Sequence, residues 1–594
     1  MALAQASRIR RLLESPRVGL VAIAIGVVLN LPSVPSGWHL DDLLHRAHFL
    51  EVGPLMDSSD MTNRMFDFLS GDPGDIAALK EIGVMPWWAY DEIRIRFWRP
   101  LSSFTHVVDY ALWPNSGALM HLQNLAWLAL LLSATSMLYR RLMVVPLVAG
   151  LASLLYALDD AHGLPTGFLA NRNALVATAL GVLSVVWLDR WRRDGWSPGA
   201  WLSPTAFGLA LLGGESGIGA APYLLGYAIF LESKSGARRL SSIVPHAVVG
   251  VVWLVVYKVS GYGTYGSGFY LDPVGQTGEW LSHFFIRAPL LLLGQWFLPP
   301  SSFAFAWSPS QAMGVAGFGV VVLAFILTLV WPILKRDPVA RFLAFGMLLS
   351  VVPITAGFPH DRLLFFVGVG AMGLLAMLLH RLFDREQSPT LGRSIGWVLV
   401  LVHVFVAAFL QIVMTTAMAA QEPIYAGPAR SLPDDAALER QKLIVVNPPS
   451  FFYGQYDMLV RRFDGRPAPQ SLLMMAPGIT NLTITRASET TLSIDAEDGF
   501  LMSAFDDVYR GRSFPVPRDY RLELEDVKIA VVGFTDDGRP RSVRFAFNRP
   551  LEDDSYRFVR YEAGTYLPFN LPPIGGTHIL GAVPFSLISP NSDE

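Results

Sequence analysis

Long uncharged apolar runs, separated by short polar segments, dominate the chain from Val18 to about Thr416. A bilayer core about 30 Å thick is crossed by a helix of about 20 residues. By this hydropathy criterion, the candidate spans are 18–35, 119–139, 143–158, 173–189, 200–215, 219–232, 241–260, 311–334, 338–357, 363–381 and 394–417. The pattern predicts a polytopic α-helical membrane domain over residues 18–420, with about eleven spans.

The apolar segment 280–298 decides the topology, since it contains His283 and Arg287. If it lies in or on the membrane without crossing it, the basic clusters all fall on one side: 8–11, 140–141, 190–193, 234–239, 335–341 and 380–393. The positive-inside rule makes that side cytoplasmic. Residues 1–17 are then cytoplasmic, and both the loop 36–117 and the carboxy-terminal region lie outside.

The first outer loop, 36–117, is too long to be a simple connector, since loops beyond about 15 residues usually have a function or are disordered. Its end, 86–113, mixes aromatic and basic residues. This composition predicts a helix or helix pair at the membrane interface, with Trp and Tyr in the headgroup layer. The simpler alternative is a membrane-surface scaffold without a chemical role.

Beyond Met418 the pattern changes to short β-like runs, such as LIVVN, NLTITRA, TTLSIDA and SVRFAFN, separated by turn signals such as EDG and DDGRP. The sequence therefore predicts a soluble, extracytoplasmic β-rich domain over residues 421–594.

Composition agrees with this division, because 52% of the residues are hydrophobic and only 16% are charged, against about a quarter in soluble chains. A net charge of −3 argues against nucleic-acid binding. The absence of cysteine excludes disulfides, thiolate nucleophiles and Cys-ligated metal sites. No small-residue cleavage site follows the first apolar run, which predicts a retained signal anchor in the plasma (inner) membrane.

Asp41 and Asp42 directly follow the first predicted span. Paired carboxylates beside a membrane are costly to desolvate, so they need full solvation or a partner. One interpretation is a solvated helix start capped by either acid. The other is a general base whose neighbour helps hold a divalent metal against a phosphate.

The order of segments extends this second interpretation. The acid pair is followed by RFWRPLSSFTHVVDYALW, MHLQNLAWLALLL, LYALDDAHGLPTGFLANRNALVA, LALLGGESGIGAAPYLLGYAIFLE and FPHDRLLFFVGVGAMGLLA. Over residues 15–420 the chain resembles the GT-C superfamily of polytopic glycosyltransferases, and is most similar to the protein O-mannosyltransferase branch that includes the TMTC proteins. It departs from that branch at Asp159–Asp160, where His-Pro is usual, and it lacks the TMTC helical repeats.

The resemblance implies transfer of a sugar from a polyprenyl-phosphate-linked donor to an extracytoplasmic protein or glycan acceptor. Asp41 would deprotonate the acceptor, and Asp42 would position the acceptor or a metal such as Mg²⁺ or Mn²⁺. The residues matching the family's other site positions are Arg99, Arg172, Arg362 and His162, implied to bind the donor phosphate, and Glu215. Guanidinium groups suit that phosphate because they offer paired hydrogen bonds.

Two other classes of protein remain open from the residues alone. A transporter or lipid flippase would also be polytopic, but charged or broken helices near the midplane are expected there, and the charges of this chain cluster at span ends. A non-catalytic membrane assembly protein would account for the β-rich domain but not for the acidic and aromatic first outer loop.

Overall fold

The computed structural model describes residues 10–53, 58–232, 236–384 and 389–584. Parts of three basic clusters, including Arg8 and Lys234, and the last ten residues of the predicted β-rich domain lie outside these ranges. The α-helices are Val18–Asn30, Asp41–Leu50, Met61–Arg64, Pro73–Ile82, Pro100–Leu112, Gly117–Leu142, Pro146–Ala157, Gly163–Gly167, Arg172–Asp194, Gly199–Gly213, Ala220–Phe230, Val244–Val259, Thr277–Trp296, Pro309–Arg336, Pro338–Ile354, Phe365–Leu382, Thr390–Val400, Ala407–Thr415, Ala417–Ala420, Glu422–Ser431, Phe451–Gly454 and Asp457–Phe463.

Short 3₁₀ turns interrupt these helices, and a π-helical turn, Leu401–Val406, joins Thr390–Val400 to Ala407–Thr415. The strands, numbered β1 to β13 in chain order, are Asp67–Ser70, Arg94–Arg96, Gly263–Tyr265, Lys442–Val445, Ser471–Met474, Leu482–Arg486, Thr491–Ala496, Arg521–Glu523, Val527–Phe534, Pro540–Phe547, Tyr556–Glu562, Thr565–Pro568 and Thr577–Leu580.

The helical half is an integral membrane domain by length and composition. Within the described ranges, five helices are long and apolar enough to cross a membrane: Gly117–Leu142, Leu169–Asp194, Pro309–Arg336, Phe365–Leu382 and Thr390–Thr415. Five shorter apolar helices accompany them, the first at Val18–Ser33. Each predicted span overlaps a helix, but the count of about eleven crossings stays a prediction.

Two of the predicted cytoplasmic clusters, 140–141 and 190–193, meet at one end of the bundle, where Arg193 donates to the Arg141 carbonyl at 2.6 Å. Arg141 forms ion pairs with Asp189 at 2.6 Å and with Asp194 at 2.8 Å. Arg192 forms another with Glu232 at 2.6 Å. The structure therefore gathers these charges on one side, as the positive-inside rule requires, while the identity of that side stays a prediction.

The helix Thr277–Trp296 covers most of the segment 280–298. Its first turn, at Glu279, and the turn that follows it, Ser301–Ala306, line the same cavity. Both ends of this helix thus lie on the cavity side, and its position in or on the membrane stays a prediction.

Two sheets form the carboxy-terminal region, which confirms its β-rich character. The larger sheet has the order β13-β6-β7-β10-β9-β8 and is antiparallel throughout. The smaller has the order β12-β11-β4-β5, with β4 parallel to both of its neighbours. Alternating burial along β7 and β10 places one face of the large sheet in the core.

The first outer loop shares its core with this β-rich region, which corrects the interface prediction for 86–113. Trp87 and Trp88 are 2% and 1% exposed and pack among residues of the sheets, not in a headgroup layer. The indole of Trp87 donates to the Met475 carbonyl at 3.1 Å. Only the end of this stretch forms the expected helix, Pro100–Leu112.

A third sheet ties the loop to a later part of the membrane domain. β1 and β2 come from the first outer loop, and β3 comes from the segment after the helix Val244–Val259. Arg96 of β2 pairs with Asp67 of β1 at 2.7 Å. Both segments therefore lie on the same side of the helical bundle.

Candidate active site

A cavity of about 1680 Å³ lies where the helical bundle meets the carboxy-terminal region. Among the seven residues implied by the resemblance, Asp41 and Arg362 line it. Asp42, Arg99, Arg172, His162 and Glu215 are not among its lining residues. Since small-ligand pockets usually enclose about 300–1,000 Å³, this cavity has room for more than one substrate.

Asp41 opens the helix Asp41–Leu50, directly after a strained residue. Leu40 has φ +49° and ψ −116°, a left-handed conformation that is uncommon for residues other than glycine. Leu40 and Leu43 pack in a cluster with Tyr425 and Tyr456 from the carboxy-terminal region. Such strain is retained only when surrounding contacts enforce it, and it is frequent at functional sites.

One oxygen of Asp41 is fixed and the other is available. Its Oδ1 accepts a hydrogen bond of 2.8 Å from the Tyr456 hydroxyl, while within the described residues its Oδ2 accepts none. Burial raises the pKa of Asp41, and the Tyr456 hydrogen bond and the positive charge of Arg362 oppose that rise. The raised pKa makes this carboxylate a stronger base than a solvated aspartate, and the residue lines an open cavity.

Asp42 turns away from the cavity and fixes the backbone. Its Oδ2 accepts from the His39 amide at 3.2 Å, and its Oδ1 accepts from the Ala170 amide at 2.7 Å. Burial is the main cause that raises the pKa of Asp42, to about 8. The side chain thus joins the helix Asp41–Leu50, the first outer helix, to the turn Leu169–Asn171 instead of contacting the cavity.

Arg362 lies in the turn Asp361–Leu363, which is anchored from both sides. Asp361 accepts from the Ser301 hydroxyl at 2.7 Å and the Ser302 amide at 3.0 Å. The ring of His360 accepts from the Arg362 amide at 3.1 Å. Within the part of the chain that the structure describes, the guanidinium makes no hydrogen bond or ion pair, so its donors are available to an anion in the cavity.

Arg99 and Glu215 are brought together, although neither lines the cavity. Arg99 Nε donates to Glu215 at 2.7 Å, and the two side chains are 17% and 26% exposed. The guanidinium also lies 4.2 Å from the Phe97 ring centroid, a favourable cation–π geometry. This arrangement braces the start of the helix Pro100–Leu112 against the turn Glu215–Gly219.

Arg172 is fully buried and uses all of its donors within the protein. It pairs with Asp109 at 2.6 Å, and neither side chain is exposed. A guanidinium has five N–H donors; besides Asp109, their acceptors are Asn124, Thr105, Gln123 and the Met120 carbonyl. The implied contact of Arg172 with a donor phosphate would require the release of these partners.

His162 is also buried and lies between aromatic rings. Its ring centroid is 4.7 Å from that of Tyr156 and 5.1 Å from that of Phe365. Burial lowers the pKa of His162 to about 3, so the imidazole is neutral. Both ring nitrogens lack a hydrogen-bond partner among the described residues, and neither faces the cavity, so a phosphate contact stays a prediction.

The side chains present do not fit a divalent metal at Asp42. Both of its oxygens already accept backbone hydrogen bonds. The described ranges also bring together no three His, Asp or Glu side chains in a metal-binding arrangement. Because Mg²⁺ and Mn²⁺ bind through free carboxylate oxygens, no metal is assigned a step in the reaction below.

Tyr456 is the residue of this site that the sequence did not indicate. It lies 415 residues after its partner Asp41 and belongs to an aromatic run, FFYGQY, without a recognisable motif. Phe305, Phe358, Phe452 and Phe505 also line the cavity and stack in a row of ring pairs 4.3–5.6 Å apart. Only the fold brings these rings together.

Comparisons with known proteins give distant similarity. No protein-family model matches the chain, and no curated protein matches it. The Archaeoglobus fulgidus oligosaccharyltransferase tethered with an acceptor peptide is 12% identical, with a TM-score of 0.37 over 75% of this chain and 63% of that chain. For its complex with Zn and sulfate the values are 12%, 0.37, 75% and 61%.

The archaeal oligosaccharyltransferase AglB from the same organism, in complex with an inhibitory peptide and a dolichol-phosphate, is also similar. The identity is 12% and the TM-score 0.36, over 76% of this chain and 64% of that chain. The present chain therefore spans less than two thirds of these neighbours. Similarity at this level assigns no activity, and the O-mannosyltransferase branch stays a prediction.

Proposed function

We propose that this protein is an integral-membrane glycosyltransferase that moves a sugar from a polyprenyl-phosphate-linked donor to an extracytoplasmic protein or glycan acceptor. The observation that carries the proposal is that Asp41 and Arg362 face one cavity, close enough for Arg362 to oppose the rise in the pKa of Asp41. Glycosyl transfer from a phosphate needs a base and an anion site side by side.

In the proposed reaction, Asp41 takes the proton from the acceptor nucleophile as that atom attacks the anomeric carbon. The bond between the anomeric carbon and the phosphate oxygen breaks, and the polyprenyl phosphate leaves with the bonding electrons. Arg362 stabilises the negative charge of the leaving phosphate by paired hydrogen bonds. This displacement inverts the anomeric centre and needs no nucleophile from the protein.

In this proposal, the other residues implied by the resemblance hold the surrounding helices and turns in place. Asp42 holds the turn Leu169–Asn171 against the first outer helix. The ion pair between Arg99 and Glu215 braces the start of the helix Pro100–Leu112. Arg172 locks the helix Pro100–Leu112 to the helix Gly117–Leu142. These contacts keep Asp41 in place, and a small displacement of a catalytic group is costly.

Deletion of the gene, followed by mass spectrometry of cellular glycoconjugates, tests the proposal. The deletion is expected to remove one sugar from a protein or glycan, and the wild-type gene is expected to restore it. Asp41→Asn and Arg362→Gln should fail to restore it at equal expression. Asp519→Asn and Arg521→Gln, which change exposed residues away from the cavity, are the matched controls and should restore it fully.

Unchanged glycoconjugates after deletion would reject the enzyme and favour a transporter or an assembly protein. Full restoration by Asp41→Asn would reject the assigned base while leaving the class of reaction in place.

A further inference from the structure

The first outer helix is attached to the carboxy-terminal region at the residues that precede and open it. Tyr456 donates to Asp41 at 2.8 Å. The Tyr425 hydroxyl lies 2.8 Å from Nδ1 of His39, and the amide of His39 donates to Asp42. Two tyrosines from beyond residue 420 therefore contact the strained turn that presents the acid pair.

Tyr456 is held firmly enough to orient a carboxylate. Its side chain is fully buried, and its ring centroid lies 6.0 Å from that of Tyr425 and 6.2 Å from that of Phe452. The residue immediately precedes the helix Asp457–Phe463, whose Leu459 and Val460 pack in the same cluster as Leu43 of the first outer helix. A hydroxyl in such a rigid position fixes the rotamer of its acceptor.

The hydrogen bond also leaves Asp41 suited to proton transfer. The Tyr456 hydroxyl occupies Oδ1, and Oδ2 of this cavity-lining residue accepts no hydrogen bond within the described ranges. A donor to a carboxylate favours its charged form, which counteracts the effect of burial. Without that donor, the acid would turn freely and would hold its proton at a higher pH.

We propose that Tyr456 is a positioning residue for Asp41, so that the carboxy-terminal region completes an active site whose base belongs to the membrane domain. This inference rests on the proposed function for its role in transfer. The contact between the two side chains and its effect on the carboxyl group do not depend on that function.

The chain contains a matched control for this pair. Tyr566 donates to Asp457 at 2.7 Å, both side chains are buried, and neither lines the cavity. Tyr566→Phe therefore removes a buried hydroxyl from a tyrosine–aspartate pair of the same length, in the same region, without touching the site.

The test follows the protonation of Asp41 by pH-difference infrared spectroscopy of the full chain in lipid nanodiscs. The Asp41 carboxyl band is identified by its loss in Asp41→Asn. In Tyr456→Phe the midpoint of that band is expected to rise by about one pH unit, because the hydrogen bond to the charged form is lost. Tyr566→Phe should leave the Asp41 midpoint unchanged. Equal midpoints in the wild type, Tyr456→Phe and Tyr566→Phe would overturn the proposal.

A second substitution keeps the test decisive if Tyr456→Phe does not fold. Replacement of Tyr456 by 3-fluorotyrosine retains the ring and strengthens the phenol as a donor, so the Asp41 midpoint is expected to fall. A midpoint that stays in place would overturn the proposal equally.

Complementation of the deletion strain separates this inference from the proposed function. Tyr456→Phe should reduce sugar transfer several-fold, and Tyr566→Phe at equal expression should not. A shifted Asp41 midpoint together with unchanged glycoconjugates in the deletion strain itself would reject the glycosyltransferase while confirming the effect on the carboxyl group. An unshifted midpoint, with transfer lost only in Asp41→Asn, would reject Tyr456 and keep the enzyme.

Discussion

Arg172 and Asp109 lie 2.6 Å apart with neither side chain exposed, and they join the start of one long membrane helix to the outer helix Pro100–Leu112. Loss of either partner leaves the other charge buried and unpaired. Such losses cost about 3–5 kcal/mol. The pair is thus part of the framework of the site and not an open anion receptor.

Arg172→Gln and Asp109→Asn are each expected to lower the free energy of unfolding by about 3–5 kcal/mol. Denaturant unfolding of the purified protein in detergent measures the change. Lys528→Gln is the control, because it breaks an ion pair with Glu523 whose side chains are 59% and 73% exposed, and exposed pairs contribute about 0–1 kcal/mol. Equal losses in all three variants would contradict a buried structural pair.

The buried Asp457 predicts a pH dependence of stability. Burial raises the pKa of Asp457 to about 8 in the folded protein, so between its ordinary value and pH 8 the folded state binds a proton that the unfolded state has released. The free energy of unfolding therefore falls as pH rises through this window, by about 1.4 kcal/mol per pH unit for this group.

Asp457→Asn should flatten that dependence, since the amide cannot titrate. Thermal unfolding of wild type and variant between pH 5 and about pH 8 checks the expectation, because the window in which one group acts lies between its two pKa values. A variant whose midpoint falls with pH as steeply as the wild type would show that Asp457 is not the group responsible.

Trp87 predicts how strongly the first outer loop supports the β-rich region. Trp87→Ala removes a side chain that is 2% exposed and is expected to cost about 3–5 kcal/mol. Leu567→Ala, at a position 37% exposed on β12, is the control and should cost little. Unfolding midpoints and limited proteolysis of the carboxy-terminal region measure the effect of each substitution. If the Trp87→Ala protein resisted unfolding and proteolysis as well as the Leu567→Ala control, a shared core would be excluded.

Gly83 tests the same junction through the backbone. Gly83 has φ +82°, and a Cβ there would lie 1.7 Å from the Leu472 carbonyl oxygen of β5. Gly465 has φ +68°, with open space around the same position. Gly465→Ala is expected to cost about 1–2 kcal/mol from the left-handed conformation alone.

Gly83→Ala should cost clearly more than Gly465→Ala, because the strand must also move. Denaturation curves of the two variants give the difference in the free energy of unfolding. Identical losses of stability would mean that the first outer loop and β5 separate easily.

Sequence patterns predicted the elements that depend on local periodicity. Every apolar run of span length contains a helix, and β4, β6, β7 and β10 lie where alternation and turn residues indicated strands. β5 and β11 were not predicted, since β5 is a short apolar run and β11 mixes aromatic and charged residues. Local patterns also gave no reason to pair Trp87 with residues far along the chain.

Only part of the candidate site was predicted, because local sequence patterns do not show contacts between residues that are distant in the chain. Asp41 and Arg362 belong to recognisable segments, and the fold brings them to one cavity. Tyr456 has no local signal, because its role comes only from a contact across 415 residues. Asp42 and Arg172 are of the residue types expected in an active site. In the fold both are buried and their hydrogen-bonding groups are already used within the protein, so they have a structural role that no sequence motif reveals.

The shared core of the first outer loop has a consequence for biosynthesis. Trp87 finds its carbonyl partner at Met475, 388 residues later, after the remaining membrane helices have been synthesised. Until the residues around Met475 have been synthesised, this aromatic segment lacks its partner and is exposed to aggregation and proteolysis. Completion of the cavity therefore depends on synthesis of the carboxy-terminal region, and truncation of the last strands is expected to leave an inserted but immature protein.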